Sequence, residues 1–237
     1  MPSGADHMPE LTQFLAQVPL FRGAPGRALE IAAEAVQPRT FASDAVLFRE
    51  GDRGEVLHIL ASGMIKLFKI DLEGHEKTLA ILKPPEFFGE MALLGEQGRS
   101  ATAVCLRETL VYLLFKDDFQ RLLKDYPSIS LNVANTLSQR LRGMVDEAQV
   151  LSYKDAQGRV AYVILRLYWG GLIDFNESGQ SLLRLTHQEL ASLAGTSRET
   201  VTRALKALEQ EGVISTRPKE VLIRDPEGLE EILHGVR

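Results

Sequence analysis

The chain has 237 residues, of which 45% are hydrophobic and 25% are charged, an ordinary composition for a globular protein and a length sufficient for two domains. The net charge of −5 gives the chain no overall basic character, so any nucleic-acid site must be locally basic. The single cysteine, Cys105, excludes an intramolecular disulfide and a cysteine cluster for zinc or an iron–sulfur centre.

The N-terminal region reads as short helices and not as a targeting segment. Residues 11–36 place Leu11, Phe14, Leu15 and Val18 on one helical face. No apolar stretch is long enough for a signal peptide or a membrane span, so we expect a cytoplasmic protein without a membrane partner.

Residues 40–115 change to the pattern of short strands separated by glycine turns. The strands are expected at 45–48, 56–60, 65–70, 78–82, 101–106 and 109–115. Many short strands at this spacing favour a sandwich or barrel. Cys105 lies within an apolar strand pattern and is expected in the core.

A helix is predicted from Lys116 to Leu123, and a much longer one after Pro127. Apolar or small residues of the long helix approximate a heptad seam, at Leu131, Ala134, Leu137, Leu141, Val145, Ala148 and Ser152. A helix of about 25 residues would be about 38 Å long. The seam predicts a parallel homodimer, and the alternative is packing against its own domain.

Residues 155–158 read as a hinge, after which a second domain begins. A helix is expected over 159–169, with Val160, Val163, Ile164 and Leu167 turned inward. Residues 173–180 read as a surface loop.

The segment from Phe88 to Ala103 has features of an anion site. Gly89 and Glu90 precede a short helix whose backbone N–H groups could face an anion, and Arg99 adds a permanently charged forked donor. Together these groups suit one phosphate, with Glu90 accepting hydrogen bonds from sugar hydroxyls. The alternative is a surface ion pair between Glu90 and Arg99 beside a turn.

The segment from Leu185 to Leu205 predicts two short helices joined by a turn. Thr186 and Glu189 form a capping box, Gly195 ends the first helix, and Ser197 caps the second. This arrangement describes a helix-turn-helix, although a helical hairpin with a solvated charged face has the same pattern.

The sequence contains no motif that indicates an enzyme. The histidines show neither metal-ligand spacing nor a catalytic motif, and each is expected at the surface or at a helix cap: His58, His75, His187 and His234. We therefore predict no catalytic residue and no metal site.

Both motifs resemble those of one family of bacterial transcription regulators. The segment around Gly89 looks like the phosphate-binding cassette of cyclic-nucleotide-binding domains, and Ser197 to Arg203 is similar to the recognition helix of CRP/FNR regulators. The resemblance implies an α+β fold with an N-terminal cyclic-nucleotide-binding β-roll over 1–126, a dimerisation helix and hinge over 127–154, and a winged helix-turn-helix over 155–237. The wing would be residues 214–223.

The resemblance also implies an effector site. Gly89 and Glu90 would engage the ribose, Arg99 and Ser100 the cyclic phosphate, and Arg140 the back of the pocket. Family members that bind cyclic AMP present a Thr-Ser pair to the adenine, where this chain has Met144 and Val145, which cannot donate that hydrogen bond. Cyclic AMP is the expected effector, with no other cofactor. Another nucleotide, or activity without any nucleotide, is the alternative.

The implied partners are double-stranded DNA, a second copy of the chain and RNA polymerase. Arg198 and Arg203 would each read a guanine and Glu199 a cytosine, in an inverted repeat of a TGTGA-like half-site. The remaining candidate DNA-binding residues are Thr186, His187, Ser197, Thr202 and Lys206, of which His187 and Lys206 would position phosphates. An alternative from another class is a cyclic-nucleotide-binding regulatory subunit of an enzyme.

Overall fold

The computed structural model describes residues 7–74, 76–95, 97–176 and 180–235. These fall into two compact units, the first drawn from the described residues of 7–69 and 79–141, the second from those of 70–78 and 142–235. Among the helices within these ranges, none is both long and apolar enough to cross a membrane.

The first unit begins with helices and continues as strands. α1 (His7–Gln17), a 3-10 turn (Pro19–Phe21) and α2 (Gly26–Ala35) precede the strand region. The strands and helices that follow are β1 (Gln37–Phe41), β2 (Val46–Phe48), β3 (Val56–Ser62), β4 (Ile65–Ile70), β5 (Glu76–Leu82), β6 (Glu86–Phe88), α3 (Met91–Leu94), β7 (Thr102–Cys105), β8 (Thr109–Phe115), α4 (Lys116–Asp125) and α5 (Pro127–Tyr153).

The strands form two four-stranded antiparallel sheets, in the orders β1-β8-β3-β6 and β2-β7-β4-β5. A core cluster takes Leu60, Phe88 and Val111 from the first sheet and Ile65, Ala103 and Cys105 from the second. The two sheets therefore enclose one core, which agrees with the sandwich or barrel expected for this region. Cys105 is fully buried and unpaired, as predicted.

A second cluster joins the helices to the outer side of the first sheet. Leu15, Phe21, Leu57 and Phe119 are fully buried there, and the start of α5 contributes Ile129. The first turns of α5 are thus anchored by apolar burial, worth about 25 cal/mol per Å². Farther along α5, Leu141, Met144, Val145 and Leu151 are exposed.

The second unit contains a four-helix core and a small sheet. Besides Ile70–Thr78 and the part of α5 from Arg142 onward, its elements are α6 (Ala156–Trp169), β9 (Asp174–Phe175), β10 (Ser181–Leu183), α7 (His187–Ala194), α8 (Arg198–Gln210), β11 (Ile214–Arg217), β12 (Glu220–Ile223) and α9 (Pro226–His234). The sheet order is β11-β12-β10-β9. α6 packs against α7, α8 and α9 and buries Val160, Val163, Ile164 and Leu167, the four residues predicted to face inward.

Two expectations need correction. The hinge is shorter than predicted, because Asp155 is the N-cap of α6 and accepts a hydrogen bond from the Gly158 N–H, which makes residues 156–158 helical. The stretch 173–180 is not loop throughout, since Asp174–Phe175 pairs with β10. Residues 177–179 of that expected loop lie outside the described residues, as does His75.

Candidate ligand pocket and nucleic-acid interface

Gly89 connects β6 to the short helix α3 in a conformation that requires glycine. Its φ is +83°, and a Cβ atom there would lie 2.4 Å from Arg99 Nη1. Any larger residue would therefore meet both backbone strain and a steric clash with Arg99. The close approach makes the Gly89 backbone part of the wall around this arginine.

Arg99 is an almost fully buried cation, with 5% of its surface exposed. Its Nη1 donates to the Gly89 carbonyl and its Nη2 to the Val56 carbonyl, each at 2.8 Å. The guanidinium carbon lies 4.2 Å from the centre of the Phe48 ring, within cation–π range. Burial lowers the pKa of Arg99, while nearby carboxylates, Glu90 first, oppose that change. An arginine stays protonated even so, which leaves a positive charge in a dry site.

Glu90 and Arg140 form an ion pair in the first unit. Glu90 is 2% exposed, and its Oε1 accepts from Arg140 Nη1 at 2.9 Å. Arg140 Nη2 donates in addition to Glu86 Oε1 at 3.1 Å and to the Phe87 carbonyl at 2.6 Å. Glu86 is a partner that the sequence did not indicate, because its proximity to Arg140 depends on how α5 lies along β6.

The remaining predicted ligand residues are less enclosed. The Ser100 hydroxyl lies 3.6 Å from the Met91 sulfur on the exposed side of α3. Met144 and Val145 lie on α5 within the second unit and are 59% and 50% exposed. The first unit therefore brings together Gly89, Glu90, Arg99 and Arg140.

His58 was expected at the surface, and that expectation was wrong. The residue is 6% exposed, because the antiparallel register of β3 and β6 sets it opposite Phe88. Its ring stacks on Phe88 with centroids 5.0 Å apart and lies 5.3 Å from the Phe48 ring. Burial, together with the positive charge of Arg99, lowers the pKa of His58 from 6.5 to about 3. The ring is therefore neutral at physiological pH.

The lowered pKa of His58 predicts an acid-sensitive first unit. Between pH 6.5 and about 3 the unfolded chain takes up a proton that the folded chain does not. The free energy of unfolding should therefore fall as the pH drops through this window, by up to about 1.4 kcal/mol per pH unit. Denaturant unfolding at neutral and mildly acidic pH measures the slope, and His58→Phe should reduce it. An equal slope in both proteins would contradict the prediction.

The caps of α7 and α8 are those predicted. The Thr186 hydroxyl accepts from the Glu189 N–H, and the Glu189 carboxylate accepts from the Thr186 N–H, which completes the capping box. Gly195 ends α7 with φ +59°, and the Ser197 side chain accepts from the Thr200 N–H at the start of α8. These caps set the sharp turn between the two helices.

α8 buries one face and exposes the other. Val201, Ala204, Leu205 and Leu208 are buried, and the exposed residues include Arg198, Glu199, Thr202, Arg203 and Lys206. Hydrogen bonds, from its own N–H first and then from Ser197, lower the pKa of Glu199. Thr202 Oγ1 lies 2.9 Å from His187 Nδ1, which links the exposed face of α8 to the start of α7.

The strands β11 and β12 form the expected wing, with Ile214 opposite Ile223 and Arg217 opposite Glu220. Glu209, near the end of α8, accepts from the Thr216 N–H at 2.7 Å and fastens the wing to the helix. Arg217 and Lys219 are exposed at the turn. These two cations were not among the predicted DNA-binding residues. Their position in the turn of the predicted wing could have indicated them.

Two family models match separate parts of the chain. Residues 38–126 match the family described as "Cyclic nucleotide-binding domain", and residues 158–232 match "Crp-like helix-turn-helix domain". The chain is 42% identical over 218 residues to the cyclic AMP receptor protein of Thermus thermophilus, covering 92% of this chain and 98% of that protein. It is 31% identical over 223 residues to the CRP-like cAMP-activated global transcriptional regulator of Mycobacterium tuberculosis, with the same coverage.

Among solved structures, the c-di-GMP responsive global regulator CLP of Xanthomonas campestris aligns with a TM-score of 0.74 at 25% identity. The alignment covers 84% of this chain and 99% of that one. The relatives are transcription regulators and not enzymes. With a cyclic-nucleotide-binding domain followed by a Crp-like helix-turn-helix domain, this chain belongs to the CRP/FNR family of transcription regulators.

Proposed function

We propose that the chain is a homodimeric regulator whose affinity for an inverted TGTGA-like repeat is controlled by a cyclic nucleotide, with cyclic AMP the foremost candidate. The observation that carries the proposal is the buried guanidinium of Arg99 beside Gly89, next to the pair of Glu90 and Arg140. A buried cation at the end of a strand, beside backbone that only glycine can form, suits one anionic group.

The chemistry of a ribose phosphate matches these groups in charge and in hydrogen-bonding capacity. Arg99 supplies N–H donors and a positive charge for the cyclic phosphate. Glu90 has one carboxylate oxygen committed to Arg140, and its carboxylate can accept from a ribose hydroxyl through the other.

A nucleotide other than cyclic AMP is the alternative effector. The side chains of Met144 and Val145 cannot donate a hydrogen bond to a base, so recognition of adenine through them would rest mainly on apolar contact. One relative is named for cyclic AMP and another, more distant, for c-di-GMP. Calorimetry against cyclic AMP, cyclic GMP and c-di-GMP discriminates these effectors. Binding of none would favour a regulator that acts without nucleotide.

Dimerisation through α5 is supported by the exposed apolar residues of this helix. Leu131, Leu141, Met144 and Val145 are each at least half exposed, on a helix whose first turns are already anchored in the core. Four large apolar side chains on one helix favour a second copy as their cover, and a two-fold dimer is the commonest such assembly. The same symmetry requires an inverted repeat in the DNA.

Base reading is assigned to the first turns of α8 in the major groove. Arg198 and Arg203 lie five residues apart, about one and a half turns, and both are exposed beside Glu199. Arginine pairs with guanine O6 and N7, and glutamate can accept from cytosine N4. His187 and Lys206 are assigned to phosphates. Contact with RNA polymerase and location in the cytoplasm stay predictions.

Replacing Arg203 with Ala should relax sequence preference at a single base pair. The loss is expected to be about 1 to 3 kcal/mol, since one bidentate base contact disappears. Lys206→Ala is the matched control on the same face of α8. It should weaken all sequences alike and lower the salt slope by about one. Binding-site selection measures both, and the same guanine preference in wild type and Arg203→Ala would show that the contact is wrongly assigned.

A further inference from the structure

Two buried nitrogen atoms beside Gly89 have no hydrogen-bond partner among the residues that the structure describes. They are Nε of Arg99 and Nδ1 of His58, in side chains that are 5% and 6% exposed. Buried polar atoms are almost always hydrogen-bonded, because water has been lost without a replacement. The missing partners of two such atoms at one place therefore need a structural explanation.

Both side chains converge on the same point. The position where a Gly89 Cβ would stand lies 2.4 Å from Arg99 Nη1 and 3.5 Å from His58 Nδ1. The histidine ring is held between Phe48 and Phe88, and the guanidinium lies over Phe48. The aromatic stack thus fixes the edge of the imidazole that carries Nδ1 near the arginine.

The two unpaired atoms are chemically complementary. Arg99 Nε–H can only donate a hydrogen bond. The imidazole is neutral, since burial and the Arg99 charge lower the pKa of His58 to about 3. With its proton on Nε2, a neutral imidazole offers Nδ1 as an acceptor.

The arginine is at present held by other groups. Its two Nη atoms donate to the Gly89 and Val56 carbonyls. A bound phosphate would compete for these N–H groups because a charge-assisted hydrogen bond is stronger than one to a carbonyl. A guanidinium that turns toward the phosphate needs a new support at its Nε end.

We propose that His58 is a positioning residue for the effector phosphate, accepting a hydrogen bond from Arg99 Nε–H when the two Nη atoms turn to the ligand. The inference rests on the proposed cyclic-nucleotide function. His58 does not itself touch the phosphate. It acts through Arg99. Its Nδ1 has no partner among the described residues in the ligand-free protein, and it accepts from Arg99 Nε–H when the ligand is bound.

The first test is His58→Phe, which keeps an aromatic ring in the stack and removes Nδ1. Affinity for cyclic AMP, measured by calorimetry, should fall about three- to tenfold, the usual effect of one lost hydrogen bond. The melting temperature of the ligand-free protein should rise, because an unpaired buried nitrogen is replaced by carbon. A merely structural defect would lower both quantities together.

Two further proteins make the test specific. His58→Asn keeps a polar atom near the Nδ1 position and should recover part of the lost affinity, although the lost stacking lowers its melting temperature. Arg99→Lys keeps the charge and has no Nε–H, so adding His58→Phe to it should cost no further affinity.

The outcomes separate this inference from the function on which it rests. Wild type that binds none of the cyclic nucleotides would overturn both, and that result precedes any variant. Wild type that binds cyclic AMP, with equal affinity in His58→Phe, overturns the role of His58 alone. The same role is overturned if His58→Phe costs as much affinity in the Arg99→Lys background as in wild type.

Discussion

Replacing Leu141 with Asp is expected to convert the protein from dimers to monomers at micromolar concentration. Leu141 is 62% exposed on α5, in a seam with Val145. Burying one leucine contributes about 2 kcal/mol to the free energy of association, and a two-fold dimer buries this leucine from both copies. The variant would also bring two carboxylates into the interface, where like charges repel. The dimer dissociation constant should therefore rise by about a thousandfold or more.

Light scattering measures the oligomeric state, and Leu72→Asp provides the control. Leu72 is fully exposed and lies outside α5, so the same substitution there should leave the dimer intact. The monomeric Leu141→Asp protein should bind the inverted repeat weakly, because each chain then engages a single half-site. A wild type that is monomeric at micromolar concentration would contradict the assignment of the seam.

Arg99→Ala is expected to lower the affinity for cyclic AMP by about ten- to a hundredfold. A charge-assisted contact to phosphate contributes about 1.5 to 3 kcal/mol, and the contact assigned to Arg99 lies in a buried site. The substitution also leaves the Gly89 and Val56 carbonyls without their donor, so the folded state must be verified by its melting temperature.

Arg53→Ala is the matched control for Arg99→Ala. It makes the same change in net charge at a side chain that is 91% exposed and pairs with Glu55. Surface pairs of this kind contribute little, so its affinity for cyclic AMP should stay close to that of wild type. Arg99→Ala with unchanged affinity would reject the phosphate assignment.

The features that sequence predicted well are those set by neighbours along the chain. The capping box of Thr186 and Glu189, the turn at Gly195 and the cap at Ser197 each depend on residues within one helical turn. Most strands of the first unit were also found, because their alternation and glycine turns are local. β6, β9 and β10 were missed, since two or three residues seldom show a clear alternation. β1 was missed because it is mostly exposed and carries no apolar alternation.

The features that sequence did not predict depend on pairing between distant segments. His58 is buried because β3 meets β6 in the register that opposes it to Phe88, thirty residues later in the chain. Glu86 pairs with Arg140 only because α5 lies next to β6. No periodicity within either segment contains this information. The buried histidine was therefore read as a surface residue, and the second carboxylate near Arg140 was not noticed.

Control of DNA binding by a cyclic nucleotide is tested most directly by one titration. The affinity of the wild-type protein for a duplex with the inverted TGTGA repeat is measured at constant salt, with and without saturating cyclic AMP, against a duplex with scrambled half-sites. We expect cyclic AMP to raise the affinity for the repeat by about tenfold or more, within the usual range of allosteric coupling, and to leave the scrambled duplex weakly bound. Equal affinity for the repeat with and without cyclic AMP would contradict control by this nucleotide.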